Sequence, residues 1–462
     1  MGHHRLTVLA TSAIAASIAT GQIINETRKL LPSDGAANAV LGRYVAVDGT
    51  IAAIAAPLDE SDGNSSGSAY LFDTTTGQQL AKLRPEVRIT GEIFGQGIAI
   101  DGNIVVVGAS RNPERTGATY VFDANTGEQL ARLQPSDAEP GDLFGSTVAV
   151  SGTRVLVGAR GANDNGETSG SAYVFDAITG HQLAKLLPND GGRGDAFGSS
   201  VAIEGTTAII GAIFDSDRAV LGGSAYLFDV STGQQLAKLF ALDTGFNVNF
   251  GISVDLSGSI AIVGADLDAN NGSESGAAYL FEVPGGRQIA KLLPSDGSIG
   301  DRFGTSVAID GRTAVVGAYL EDDGTLNNPG AAYLFDVNNG RQIAKLLASD
   351  RGDRDSLGLA VAISGTVGVA GAFRDDDNGE DSGSAYVFST RGPCPADLWG
   401  PPAFGAQPDG ILTGADFFEF LARFTAGDLS VDFSSPADPG QPDGILTGAD
   451  FFEFLSLFSA GC

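Results

Sequence analysis

Of 462 residues only two are cysteine, one is methionine, one is tryptophan and three are histidine. Soft metal ligands and the usual nucleophile and base pairs are therefore scarce. No H-E-x-x-H, no nucleotide glycine loop and no His/Cys cluster occurs in the chain, so the common hydrolase, kinase and zinc chemistries have nothing to stand on. His3 and His4 lie in the N-terminal segment, and His181 falls where other repeats carry Gln or Glu, the place of an exposed turn residue. Basic charge is scarce too: 27 Lys and Arg face 56 Asp and Glu, a formal net charge of −29. Nucleic acid and anionic membrane surfaces, which select for basic patches, are excluded as expected partners. Long apolar runs are also missing. The best, Leu6 to Ala19 behind His3, His4 and Arg5, is shorter than the ~20 residues of a spanning helix and reads as a secretory signal over residues 1–21, with no membrane span after its removal.

What the chain has in abundance is glycine, 65 residues of it, set at recurring positions. Phe-Gly or Leu-Gly pairs fall at Leu41, Phe94, Phe144, Phe197, Phe250, Phe303 and Leu357, a period of about 53 residues in the range of propellers and solenoids. Each copy holds two short β-branched runs around a tight turn, as in "STVAV" and "TRVLVGA". A longer polar loop follows, and then "SAYVFD" and "HQLAKLLP", joined through a Gly-containing turn. These are four strands, A to D, of an antiparallel meander. Seven such units bury their apolar faces by stacking around an axis, which predicts an all-β, seven-bladed β-propeller over residues 22–390. The seventh copy stops at Arg391 without a D strand, whereas "RKLLP" at residues 28–32 matches the D strands yet precedes the first A strand. The N-terminal segment is thus expected to close the ring as the outer strand of blade seven.

Antiparallel strands alternate direction, so the D-to-A and B-to-C connections share one face and the short A-to-B and C-to-D turns share the other. Binding is expected on the long-loop face. Acids gather in its B-to-C loops: Asp59, Glu60 and Asp62; Asp164 and Glu167; Asp215 and Asp217; Asp266 and Asp268; Glu321 to Asp323; Asp375 to Asp377 with Glu380 and Asp381. Blade two instead carries Arg111 and Arg115. The spaced carboxylates Asp375, Asp377 and Asp381, with a turn glycine between them, are a candidate Ca²⁺ loop.

The paired Phe-Gly and Gly-Ala marks, as in "FGSSVAIEGTTAIIGA" at residues 197–212, resemble the FG-GAP repeats of integrin alpha-chain propellers, and more closely those of secreted bacterial proteins. The resemblance implies an extracellular propeller used for adhesion or ligand binding. Integrins carry a D-x-D-x-D-G calcium loop between the two marks, and this chain has no such insertion.

Residues 391–462 hold a second duplication, "QPDGILTGADFFEFL", at 407 and 441. Phe417, Phe420, Leu421 and Phe424, and likewise Phe451, Phe454, Leu455 and Phe458, recur at helical spacing and predict two helices with facing apolar sides. Each helix follows an Asp-Gly loop that reads as the second half of a calcium loop: Asp409, Ile411 through its carbonyl, Thr413 and Asp416, repeated by Asp443, Ile445, Thr447 and Asp450. Asp397 and Asp432 are the nearest candidates for the first ligand position. Cys394 and Cys462 bracket this segment, and an even count in a secreted chain predicts a disulfide between them. The loop-helix duplication resembles the dockerin-type modules that end many secreted proteins of planctomycete-like bacteria. It implies a Ca²⁺-stabilised module that docks onto a cohesin-like or cell-surface partner.

The expectation is therefore a secreted, non-enzymatic adhesion or ligand-binding propeller, possessing a protein or glycan ligand and tethered through its tail. The alternative is a carbohydrate-binding or carbohydrate-hydrolysing propeller, since paired carboxylates suffice for glycoside hydrolysis.

Overall fold

The computed structural model describes residues 22–60, 66–111, 116–243 and 245–390, together with Phe420, Leu421, Arg423, Phe424, Phe451 and Leu455. Residues 22–390 form seven four-stranded antiparallel sheets in the order A-B-C-D, one of which gains a fifth strand. Blade three is typical, with Thr147–Ser151, Arg154–Ala159, Ser171–Asp176 and Gln182–Leu186. Strands B and C are almost wholly buried in every blade, because each presses both of its faces against a neighbouring blade. The core is accordingly divided into seven apolar clusters, one per seam. One of them joins Leu227 and Leu239 of blade four to Phe250, Val263 and Phe281 of blade five.

The two marks of the repeat meet across these seams. Gly158, in the Gly-Ala of blade three, lies so close to the carbonyl of Gly198, in the Phe-Gly of blade four, that a Cβ would collide with it. Gly371 of blade seven meets Gly42 of blade one in the same way, which closes the circle. Beside each Phe-Gly glycine, the phenylalanine ring packs against two C-strand aromatics, edge-on except for the tilted pair of Phe250 and Tyr279. Phe144 is 5.7 Å from both Tyr173 and Phe175, an arrangement that adds to plain area burial.

Closure by the N-terminal segment is as expected: Arg28–Leu30 pairs antiparallel with Ser384–Ser389 and is the outer strand of blade seven. Sequence reading did not anticipate the segment before it. Gln22–Asn25 pairs in parallel with Arg341–Leu347 and widens blade six to five strands. Glu26 then accepts hydrogen bonds from the backbone N–H (2.8 Å) and hydroxyl (2.5 Å) of Ser349. Nine consecutive residues thus sew the outer edges of two blades together.

The sequence reads Asp101-Gly102, Glu204-Gly205 and Asp310-Gly311 as two-residue A-to-B turns, and on the short-turn face the turns lie one residue later. Asp101 ends strand A, and the turn is Gly102 and Asn103. The shift frees the last side chain of each A strand to reach the next blade. Asp48, Asp101, Ser151, Glu204, Ser257, Asp310 and Ser364 accept the N–H of Gly102, Gly152, Gly205, Gly258, Gly311, Gly365 and Gly49 respectively, at 2.5–3.1 Å. This is an unbroken ring of seven hydrogen bonds.

In the tail, the helical residues Phe420, Phe424 and Phe451 lie with ring centroids 5.5–6.4 Å apart, and Phe420 is fully buried. Phe420 and Phe424 of the first copy thus lie against Phe451 of the second, while Phe417, Phe454 and Phe458 fall outside the described residues. Residues 1–21, both cysteines, and Asp397, Asp409, Ile411, Thr413, Asp416, Asp432, Asp443, Ile445, Thr447 and Asp450 lie outside the described residues.

Candidate functional site

The long-loop face is built on one recurring cluster. In blade four, Lys238 of strand D places its ammonium 2.8 Å from Asp190 of the D-to-A loop, and 2.8 and 2.6 Å from Asp215 and Asp217 of the B-to-C loop. The Tyr226 hydroxyl of strand C donates to Asp215 at 2.7 Å, and the lysine sits over the same ring, 5.1 Å from its centroid. The parts come from four separate stretches of the repeat. A period-2 strand pattern places Lys and Tyr on the same side of adjacent strands, Tyr226 pairing with Lys238 in the ladder.

Five other blades repeat the cluster. Lys82 holds Asp34 and Asp59 beneath Tyr70; Lys185 holds Asp137 and Asp164; Lys291 holds Asp243 and Asp268. Lys345 holds Asp296 and Glu321. In blade seven Lys29, supplied by the N-terminal segment, holds Asp350, Asp375 and Asp377 beneath Tyr386. Asp59, Asp215, Asp268, Glu321 and Asp375 are buried. Burial alone would lower the lysines, yet hydrogen bonds to the carboxylates outweigh it and hold Lys29, Lys185, Lys238 and Lys345 above their ordinary value. Burial likewise works to raise Asp137, Asp215, Asp243 and Asp375, but the paired lysine holds each below its ordinary value.

The acids picked out from sequence are therefore not a uniformly solvated negative rim. Asp375 and Asp377 do come together, but around Lys29, which sits 2.8 and 2.5 Å from them. Asp381 contributes to that loop through its backbone, its N–H donating to Asp376 and its carbonyl accepting from Val40. Among the described residues no group of three or more His, Cys, Asp or Glu side chains is arranged to hold a metal ion. Sequence reading overlooked the lysines. The available signal was the lysine of strand D, present as "AK" in five copies and as "RK" in the sixth, opposite an invariant C-strand tyrosine and an acid in each long loop.

A second set of acids stands two residues before the Phe-Gly: Glu92, Asp142, Asp195, Asp301 and Asp355. Burial pushes them up, Asp301 and Asp355 to about 6, against the pull of backbone N–H donors such as Ser298 and Gly352. In blade two this position takes over the cluster. Tyr120 donates to Glu92 at 2.7 Å, and Arg132 stands in for the lysine, its Nε donating to the Tyr120 hydroxyl at 3.3 Å and its Nη1 to Gln134 at 2.8 Å. Among the described residues, the B-to-C loop of blade two contributes no acid to the cluster.

Seven A strands line the central channel. Six present Ala at the middle of strand A (Ala46, Ala99, Ala149, Ala202, Ala308 and Ala362) and blade five presents Asp255. Its carboxylate accepts the N–H of Ile309 at 2.8 Å and of Leu256 at 2.9 Å. Although part of Asp255 borders the channel, the surrounding strands screen the carboxylate from bulk water, and that desolvation pushes it up to about 7.

The FG-GAP repeat family model matches seven stretches of the chain, residues 24–72, 78–122, 128–175, 181–228, 234–281, 287–335 and 341–388. Each match runs D-A-B-C, so the sequence unit straddles two blades and the first match supplies the D strand of the last blade. No curated protein matches the chain.

Proposed function

The chain belongs to the FG-GAP repeat family, and from that premise we propose that it is a secreted or cell-surface binding propeller whose long-loop face engages an extracellular protein or glycan. The fold is consistent with ligand binding or adhesion. The observation that carries the reading is the lysine-acid-tyrosine cluster. It ties both long loops of a blade to strand D in six of seven blades, so the loops are held ready before any partner arrives. Loops ordered in advance lose little entropy on binding, which favours recognition by a fixed surface.

The tail is the proposed anchor: a Ca²⁺-stabilised, dockerin-like module, bridged by Cys394 and Cys462, that docks onto a cohesin-like or cell-surface partner. The packing of Phe420 and Phe424 against Phe451 supports a helical pair there. Calcium in the propeller itself is proposed only at the Asp375 to Asp381 loop, where it has to displace Lys29.

Arrays of extracellular-matrix proteins and polysaccharides, probed with the full chain, test the binding reading. Binding should survive changes on the short-turn face and fall when exposed long-loop residues are exchanged. Hydrolysis of a polysaccharide that disappears on replacement of a single carboxylate would replace the binding reading with the glycosidase alternative. Calorimetry of the full chain with and without chelator tests the tail: a melting transition unmoved by chelator removes calcium from the account.

A further inference from the structure

Where strands A emerge onto the long-loop face, the channel opens into a cavity of about 360 Å³, within the size range of small-ligand sites. In a chain of net charge −29, its lining has no carboxylate among the described residues. Its charged members are Arg111 and Arg160, exposed and contributed by the ends of strands B of adjacent blades. Among the described residues, neither guanidinium is paired with an acid. In blade two the tyrosine takes Glu92, from outside the B-to-C loop that carries Arg111.

The rest of the wall is rich in hydroxyls, and most of their protons are already committed. Thr147 and Ser199, both half-buried, donate to the carbonyls of Gly198 and Ala196 at 2.9 and 2.6 Å. What their oxygens still offer is lone pairs, acceptors for donors brought by a ligand. The cavity thus combines two guanidinium forks, which match carboxylate geometry, with a collar of hydroxyl acceptors. We infer that the channel mouth is a subsite for an acidic sugar, its carboxylate held by Arg111 and Arg160 and its hydroxyls donating to the serine and threonine collar. An acidic peptide would satisfy the arginines but brings the collar only backbone N–H donors, fewer than the several hydroxyls of a sugar ring. The inference rests on the reading of the protein as a binding propeller and narrows it to one cavity.

Titration calorimetry of the full chain with oligogalacturonate, the matching neutral oligogalactoside and a poly-glutamate peptide tests it. Oligogalacturonate should bind and weaken with added salt. Its affinity should fall about tenfold or more in an Arg111→Ala, Arg160→Ala double variant, and partly return in the double Lys variant, which keeps the charge without the fork. The galactoside and the peptide should bind much more weakly. Unchanged affinity in the double Ala variant, verified as folded by its melting transition, overturns the proposal, as does equal binding of galactoside or peptide. Should another ligand found on the arrays still bind the double variant while oligogalacturonate does not bind the native chain, the subsite falls and the binding propeller stands.

Discussion

Blade two and blade four are built from the same strands in the same register, yet they secure their long loops differently. Blade four buries Asp215 between Lys238 and Tyr226 and adds two exposed carboxylates to the same ammonium. Blade two gives Tyr120 an acid from beside the Phe-Gly, replaces lysine with Arg132, and leaves its B-to-C loop carrying Arg111 toward the channel. The cluster is therefore scaffold rather than site. Where a blade satisfies its tyrosine from elsewhere, a loop is released to carry different charge.

The seams should outweigh either cluster. Phe250 joins blades four and five and touches Tyr279 and Phe281 at 5.6 and 5.8 Å; Phe250→Ala is expected to cost about 3–5 kcal/mol. Chemical unfolding measures it, and a loss near zero would mean that the seams are not where stability resides. Next comes the contrast between the two blades themselves. Lys238→Met strands a buried Asp215 and should cost about 3 kcal/mol at neutral pH. Arg132→Met should cost about half as much, because Glu92, already raised by burial, can take up a proton more easily.

The pH dependence has a definite sign. Asp215 is held below its ordinary value, so its contribution is present above the unfolded carboxylate pKa and is lost as pH falls through the lowered folded value. The gap between native and Lys238→Met proteins should therefore narrow on acidification. Equal losses for the two substitutions at all pH values would erase the distinction between the blades.

Asp255 breaks the sevenfold pattern in the opposite sense. Its folded pKa is raised to about 7, so it costs stability progressively as pH rises from the unfolded carboxylate pKa to about 7, and no further above that. Asp255→Ala, which gives blade five the residue of the other six, should stabilise the protein by roughly 2 kcal/mol at pH 8 after the loss of its two backbone hydrogen bonds. Thermal melts between pH 4 and 8 should show the gain growing and then levelling off. The smallest effect is expected in blade six, where the longer Glu321 leaves its own Oε2 and the Tyr333 hydroxyl buried without a hydrogen bond. Glu321→Asp restores the geometry of the other blades and should add about 1 kcal/mol; a loss would show that the extra methylene is needed to reach Lys345.

Much of the ring was legible. Strand period, turn glycines and the spacing of Phe-Gly are local signals, and "RKLLP" before the first A strand is a displaced copy of "AKLLP", so even the closure could be read. The acids were legible as residues but not as partners. Asp190, Asp215, Tyr226 and Lys238 come from four stretches of the repeat, and nothing short of folding says that they converge. Gln22–Asn25 copies no strand of the repeat, and its parallel pairing with blade six follows from where Arg28 is held rather than from its own residues.

By itself the sequence determined the number of blades, the order of strands within each and the residue that closes the circle, because propensity, alternation and turn chemistry act over a few residues at a time. Only the tertiary structure decided which charges cancel and which remain. Asp375 disappears into a lysine's shell while Arg111 and Arg160 stand unpaired among the described residues at the channel mouth, because burial and pairing depend on where distant stretches of chain come to rest.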